Sequence, residues 1–132
     1  MIYFPVTCDI LTPGHIECFK WLLEKDTLMV GVLTDRALKG YKKNLVPFKD
    51  RFYIVEHIGI GMGFITVPQD SLNPEGNIRQ FKIKGGLASG DGFEVGELET
   101  IKRFKLEKIN IRLSGEKKKR WSSSAIIKKA KQ

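Results

Sequence analysis

At 132 residues, with 42% of side chains apolar and 29% charged, the chain has the size of one domain spanning residues 1–132 and the composition of a soluble globular protein, which excludes a large multidomain machine. The net charge of +8 is unevenly held: residues 101–132 carry 12 basic and 2 acidic side chains (+10), residues 1–100 carry 11 and 13 (−2), so the excess belongs to the C-terminal part. No apolar window is long enough for a membrane span, and MIYFPVTCDI lacks the basic and long apolar stretches of a secretory signal. Two cysteines, Cys8 and Cys18, and two distant histidines, His15 and His57, make neither a disulfide framework nor a metal site built from protein ligands. Reduced thiols and a cytoplasmic location are the expectation.

The apolar run Ile2 to Val6 predicts a buried strand that ends near Thr7. Thr12-Pro13-Gly14-His15 is a turn. Ile16, Phe19, Leu22 and Leu23 then recur at helical spacing, which predicts a helix from His15 to Lys25. Thr27 to Leu33 is a second apolar strand, with a helical turn at Ala37-Leu38. Lys39 to Leu45 is a basic loop. A second helix opens at Pro47 or Asp50, has Phe52, Ile54, Val55 and Ile58 as its apolar positions, and is expected to end at Gly59 and Gly61. Phe64 to Val67 predicts a third strand. Asn73-Pro74 is a turn, and the segment to Gln80 is helical. Phe81 to Ile83 predicts a short fourth strand, and the five glycines between Lys84 and Gly96 predict a loop. Glu97 to Leu106 is a helix, Ile109 to Leu113 a fifth strand, and Ser122 to Lys131 a terminal helix.

Strands alternating with helices imply βαβ units, a mostly parallel sheet and helices on both faces. Ligands of such sheets bind beyond the carboxyl ends of the strands, where the strand order reverses. Three pieces of the sequence converge on that edge. The turn TCDILTPGH opens the first helix, whose amino end suits a phosphate; Gly14 permits close backbone approach and His15 can donate a hydrogen bond there. Lys42 and Lys43 follow the second strand and can close over a polyphosphate. Ser122, Ser123 and Ser124 open the last helix behind the basic run Lys117 to Arg120. Singly, these read as a tight turn, a solvated loop and a capped helix. One triphosphate held at the sheet edge accounts for all three.

These residues also carry a resemblance. VTCDILTPGH over residues 6–15 resembles the G-T-F-D-x-x-H/T-x-G-H signature of the cytidylyltransferase-like nucleotidyltransferases. VGVLTDRALKGYKK (30–43) with VPFKDR (46–51) resembles their second block. KGG (84–86) resembles their K-G-G or K-G-D segment, and WSSSAII (121–127) their final R-S-T-T-x-I-I segment. The nearest patterns are those of glycerol-3-phosphate cytidylyltransferases and of the adenylyltransferase domain of ADP-heptose synthases. The resemblance implies an α/β, Rossmann-like three-layer sandwich with a five-stranded parallel sheet in order 3-2-1-4-5. It implies transfer of CMP or AMP from a nucleoside triphosphate to a small phosphorylated alcohol or sugar, with pyrophosphate released and the cytidylyltransferase type favoured.

By matching position, His15, Thr12 and Lys43 are the catalytic candidates. Thr7, Cys8, Asp9, Gly14, Lys42, Arg51, Lys84, Gly85, Arg120, Trp121, Ser122, Ser123 and Ser124 are the candidates for binding nucleotide. Thr7, Asp9 and Arg51 would shape or support the pocket. The resemblance further implies Mg2+ carried by the triphosphate, no protein-built metal site, and a homodimer. Val6 and Cys8 stand where the family usually has Gly and Phe, and Gly86-Leu87 lacks the acidic pair of many cytidylyltransferases, which leaves base and acceptor open. The alternatives are a homologue that binds nucleotide without turnover and a basic nucleic-acid-binding module. The second has the +10 segment with Phe104 and Trp121, but no helix-turn-helix spacing and no base-stacking motif.

Overall fold

The computed structural model describes residues 1–40 and 46–111. The apolar run Ile2–Val6 forms strand β1 and Leu28–Leu33 forms β2, every residue of which is buried. Such uninterrupted apolar strands need cover on both faces, and the helices supply it. Between them lies α1 (Pro13–Lys25), which opens two residues earlier than the periodicity predicts because Pro13, with no N–H to lose, takes the first helical position. Then follow α2 (Phe48–Met62), β3 (Ile65–Gln69), α3 (Glu75–Gln80), β4 (Gly86–Ser89), α4 (Val95–Phe104) and β5 (Glu107–Asn110). The strands lie in the order β3-β2-β1-β4-β5, and every neighbouring pair is parallel. The expected α/β architecture and strand order are both observed.

Alternation along the strands divides the core in two. Ile2, Phe4 and Val6 with Leu28, Val30 and Val32 point toward α1 and α2, where they meet Phe19, Leu22, Val55 and Phe64. Tyr3, Met29, Val67 and Leu87 point the other way and pack with Ile78, Ile101 and Phe104 of α3 and α4. This second layer holds a buried polar cluster. The Tyr3 hydroxyl donates to Gln69 Oε1 at 2.6 Å and accepts from Asn77 Nδ2 at 2.9 Å. Asn77 Nδ2 also donates to the Pro68 carbonyl, and Gln69 Nε2 donates to that of Ser71. Burial pushes the Tyr3 hydroxyl well above the usual phenol range, so it stays a donor. Gly31 makes room for it: a β-carbon there would lie 1.9 Å from the Tyr3 hydroxyl oxygen. Gly31→Ala should therefore cost about 1–3 kcal/mol by overpacking, read as a lower urea midpoint; an unchanged midpoint would contradict this packing.

Several further element boundaries depart from the sequence reading. Helix α2 runs through Gly59 and Gly61 and ends at Gly63, whose φ of 96° is left-handed. Gly59 serves close packing, since a β-carbon there would meet the Phe64 ring at 2.7 Å. Phe81 to Ile83 is no strand: Lys82 takes a φ of 52° and Ile83 folds back to bond the Ile78 carbonyl at the end of α3. The fourth strand lies instead within the glycine-rich stretch expected to be a loop. Gly85 and Gly86 stand where neighbouring atoms leave no room for a side chain, with the Met1 carbonyl 2.1 Å from a β-carbon on Gly85 and the Ile109 side chain 2.6 Å from one on Gly86. Finally, α4 and β5 each begin two residues before the predicted start. The predicted helix at 122–131 lies outside the described residues.

Candidate active site

Because all five strands are parallel, Val6, Leu33, Gln69, Ser89 and Asn110 end on one edge of the sheet. The chain winds one way from β1 to β2 and β3 and the other way through β4 and β5, so the order reverses between β1 and β4. Thr7, Cys8 and Asp9 leave β1 at this point. Cys8 adopts a left-handed φ of 54°, which a residue with a β-carbon rarely takes, and both Cys8 and Asp9 are buried. The strained turn delivers the chain to Thr12, itself buried, at the amino end of α1.

His15 sits in the first turn of α1 and its ring folds back on Thr12. The Thr12 backbone N–H donates to His15 Nδ1 at 3.1 Å, and Thr12 Oγ1 lies 3.1 Å from the same nitrogen. This is a capping box with imidazole in the place a Glu or Gln usually takes. An amide N–H can only donate, so Nδ1 accepts, and the neutral ring carries its proton on Nε2 on the far side. Gly14, buried beside it, presents its N–H in the same helical turn, where the helix end favours negative charge.

Arg51 lies behind this turn. Its side chain is 0% exposed, and every nitrogen is engaged: Nε donates to the Val46 carbonyl, one terminal nitrogen to the carbonyls of Thr7 and Leu33, and the other to Asp35 Oδ1 at 2.8 Å. Asp35 Oδ2 accepts the Phe48 N–H at the start of α2. Arg51 thus clamps the ends of β1 and β2 to α2 and supports the pocket rather than lining it. Farther along the edge, Thr34 Oγ1 donates to Asp70 Oδ1, and Arg36 pairs with the other oxygen of Asp70.

On the other side of the crevice, β4 ends in Ser89-Gly90-Asp91-Gly92. The Ser89 hydroxyl donates to the Gly92 carbonyl at 2.5 Å and accepts the Asp91 N–H, which holds this turn in shape. Asp91 comes close enough to α1 to act on Cys18: burial pushes that thiol up to about 11, with the charges of Asp91 and Glu17 adding to the shift. Cys18 should therefore resist thiolate-directed reagents at pH 8 until the protein unfolds. The sign of its stability effect follows. The folded value lies above the ordinary 9.0, so the contribution is complete below pH 9 and is lost as pH rises toward 11. Urea titrations across that range should show a decline that Cys18→Ala makes shallower.

Of the residues singled out in the sequence, Thr7, Cys8, Asp9, Thr12, Gly14 and His15 come together, with Arg51 beneath them. Lys84 and Gly85 do not join them. They precede β4 at its amino end, where Gly86 bonds the Met1 carbonyl, a strand's length of about 13 Å from the site edge. The turn at the carboxyl end of β4, Ser89 to Gly92, takes the position assigned to that segment. Its signal, a Ser-Gly-Asp-Gly turn directly after an apolar Gly-Leu-Ala, is visible in the sequence. Asp35 is a second residue the sequence reading missed. Lys42, Lys43, Arg120, Trp121, Ser122, Ser123 and Ser124 lie outside the described residues. Among the described residues, no three His, Cys, Asp or Glu side chains group so as to hold a metal ion, and no helix is long and apolar enough to cross a membrane.

A doubly wound sheet with a histidine-bearing helix terminus at its reversal point defines an α/β protein of the class whose ligands bind beyond the carboxyl ends of the strands. The chain belongs to the cytidylyltransferase-like family, which it matches over residues 3–129. Among solved structures, it is similar to a protein of unknown function from Archaeoglobus fulgidus, with a TM-score of 0.56 and 16% identity over 86% of this chain and 100% of that one. That likeness concerns the fold. No curated protein matches the sequence.

Proposed function

We propose that the chain is a nucleotidyltransferase that moves CMP, or AMP, from a nucleoside triphosphate to a small phosphorylated alcohol or sugar, with the cytidylyl transfer typical of glycerol-3-phosphate cytidylyltransferases favoured. Family membership supports the class of reaction. The observation that carries the reading to this chain is His15, its Nδ1 held by the Thr12 N–H and its proton thereby kept on Nε2. In the reaction an oxygen of the acceptor phosphate attacks the α-phosphorus in line. A new O–P bond forms, the α–β bridge bond breaks, and pyrophosphate leaves with the electron pair. No covalent enzyme intermediate is required, so the protein's work is positioning and stabilising charge.

His15 Nε2–H is the donor for the α-phosphate and the leaving bridge oxygen, and the amino end of α1 supplies fixed positive potential beside it. Thr12 positions the ring. Thr7, Asp9 and Gly14 form the wall, Cys8 lies on the base side, and Arg51 holds the ends of β1 and β2 in place. Lys42, Lys43, Arg120 and the serines 122–124 are assigned to the β- and γ-phosphates, and Trp121 to the base. Mg2+ carried by the triphosphate would neutralise phosphate charge when bound, and no residue of this chain is assigned to hold it.

The test is pyrophosphate release on incubation with CTP or ATP, Mg2+ and a panel of sugar and polyol phosphates. Release with one donor–acceptor pair, lost in His15→Ala, supports the proposal; no release with any pair sinks it. A second reading, nucleotide binding without turnover, is favoured by Val6 and by the strained, buried Cys8 at the pocket wall. Calorimetric binding of CTP or ATP with no product from any acceptor would select it.

A further inference from the structure

Helices α3 and α4 end in the same kind of turn, at the edge of the sheet opposite the site. After α3 the Ile83 N–H bonds the Ile78 carbonyl at 3.0 Å and Lys82 takes a φ of 52°; after α4 the Leu106 N–H bonds the Ile101 carbonyl at 2.9 Å and Lys105 takes a φ of 54°. The left-handed position of such a turn usually belongs to glycine, and a β-carbon there costs stability. Both turns carry lysine instead. A cation suits the end of a helix dipole, but Arg79 in α3 and Lys102 and Arg103 in α4 already occupy the last turns. The fold itself therefore does not ask for Lys82 or Lys105, and a strained residue that folding does not require points to a function for its side chain.

We infer that this corner binds a single-stranded nucleic acid. The Glu107 N–H donates to the Gly85 carbonyl at 2.9 Å, so the two turns enter β4 and β5 side by side, about 4.8 Å apart. Lys84 lies two residues beyond Lys82, and the Lys102 carbonyl accepts the Lys105 N–H at 3.4 Å. All four lysines are exposed and none forms an ion pair with a described residue, whereas Arg79 and Arg103 both pair with Glu75. These six basic side chains stand against Glu75, Glu99 and Glu107, a net charge of +3. Phe81, next to Lys82, is 38% exposed. Ammonium groups around one open aromatic ring suit the phosphates of a strand and a base stacked on the ring. Phe104 does not serve here, because its ring is partly buried and carries the Arg79 guanidinium 5.7 Å from its centroid. A lipid surface fits less well, since it needs a broad basic face. Next along this edge Asp26 takes the amino-terminal amine at 2.9 Å and Glu24 is exposed beside it, so the positive ground is narrow. The inference does not rest on the transfer reaction.

A labelled single-stranded oligonucleotide, titrated with the full chain and followed by anisotropy, should bind with a log K that falls by about 3 per decade of salt, the release expected from four neutralised phosphates. Lys82→Gly combined with Lys105→Gly separates binding from folding. The pair should raise the urea midpoint, because glycine takes the left-handed position without strain, yet weaken binding and cut the salt slope by about 1.4. Lys20→Gln combined with Lys49→Gln removes the same charge from exposed positions elsewhere and should leave binding nearly unchanged. Phe81→Leu keeps apolar bulk without an aromatic face and should weaken binding about 5–150-fold at an unchanged salt slope. Saturating CTP should not displace the strand, since the proposed transfer site lies at the other edge. Absence of binding at low salt overturns the inference, and so does binding indifferent to both the lysine pair and Phe81→Leu, which would place the contact elsewhere. Displacement by CTP would assign the contact to the transfer site, and equal displacement by polyglutamate would reduce it to charge alone; either result also overturns it.

Discussion

Replacing His15 with alanine should lower the rate of nucleotidyl transfer by about 10²–10³, the usual consequence of removing one donor aimed at charge that develops in the transition state. The expected size follows from the arrangement. The Thr12 N–H fixes the tautomer, so the proton is already on Nε2 before substrate arrives and needs no reorganisation during reaction. The effect on folding should be much smaller, about 1 kcal/mol, because only one capping contact is lost. Rate measured by pyrophosphate release and stability measured by urea titration therefore separate: a large fall in the first with a small shift in the second. Thr12→Ala keeps the backbone N–H and should fall between wild type and His15→Ala. Equal losses of rate and stability in His15→Ala would assign His15 to structure alone.

Arg51→Met should reverse that pattern. The guanidinium is wholly buried and reaches three backbone carbonyls and Asp35, so its loss strands acceptors from β1, β2 and the approach to α2 at once. Removing one partner from such a buried charged network costs about 3–5 kcal/mol, a large share of the roughly 5–15 kcal/mol that holds a domain together. The urea midpoint should fall steeply, with the soluble yield. Arg51→Lys should not restore it, since an ammonium group on a single stem cannot reach this spread of acceptors. Asp35→Asn should cost less, because that carboxylate is 54% exposed. A midpoint unchanged in Arg51→Met would mean that water replaces the guanidinium and that the clamp is dispensable.

The contrast between these residues shows what a one-dimensional reading can reach. β1, β2 and α1 are legible because Ile2–Val6 and Leu28–Leu33 are uninterrupted apolar runs and Thr-Pro-Gly-His punctuates the turn between them. The position of His15 is legible for the same reason. Arg51 is legible as a site residue through the family pattern, but its partners come from positions 7, 33, 35 and 46, which only the folded chain brings together. β4 is misplaced because glycine count signals a loop, whereas Gly85 and Gly86 answer to the closeness of Met1 and Ile109 in three dimensions. Misplacing β4 also displaces the site segment, so that Lys84 and Gly85 are expected where Ser89 to Gly92 stand. Gly59 and Gly61 mislead in the same way: one glycine admits the Phe64 ring and the other faces open space, and neither stops the helix.

The hydroxyl–amide cluster beneath β1 bears on which fold the chain adopts. Parallel strands as apolar as these offer few obstacles to mispairing, since a valine opposite a leucine is much like a valine opposite an isoleucine. Gln69 changes that. Were β3 to slip by one residue against β2, its amide would turn to the oily side beneath α1 and α2, while the Tyr3 hydroxyl and the Asn77 amide would lose a partner in a dry interior. Each slipped arrangement thus carries several unmet hydrogen bonds. Three polar side chains, which contribute little to the depth of the native basin, raise the floor of its competitors.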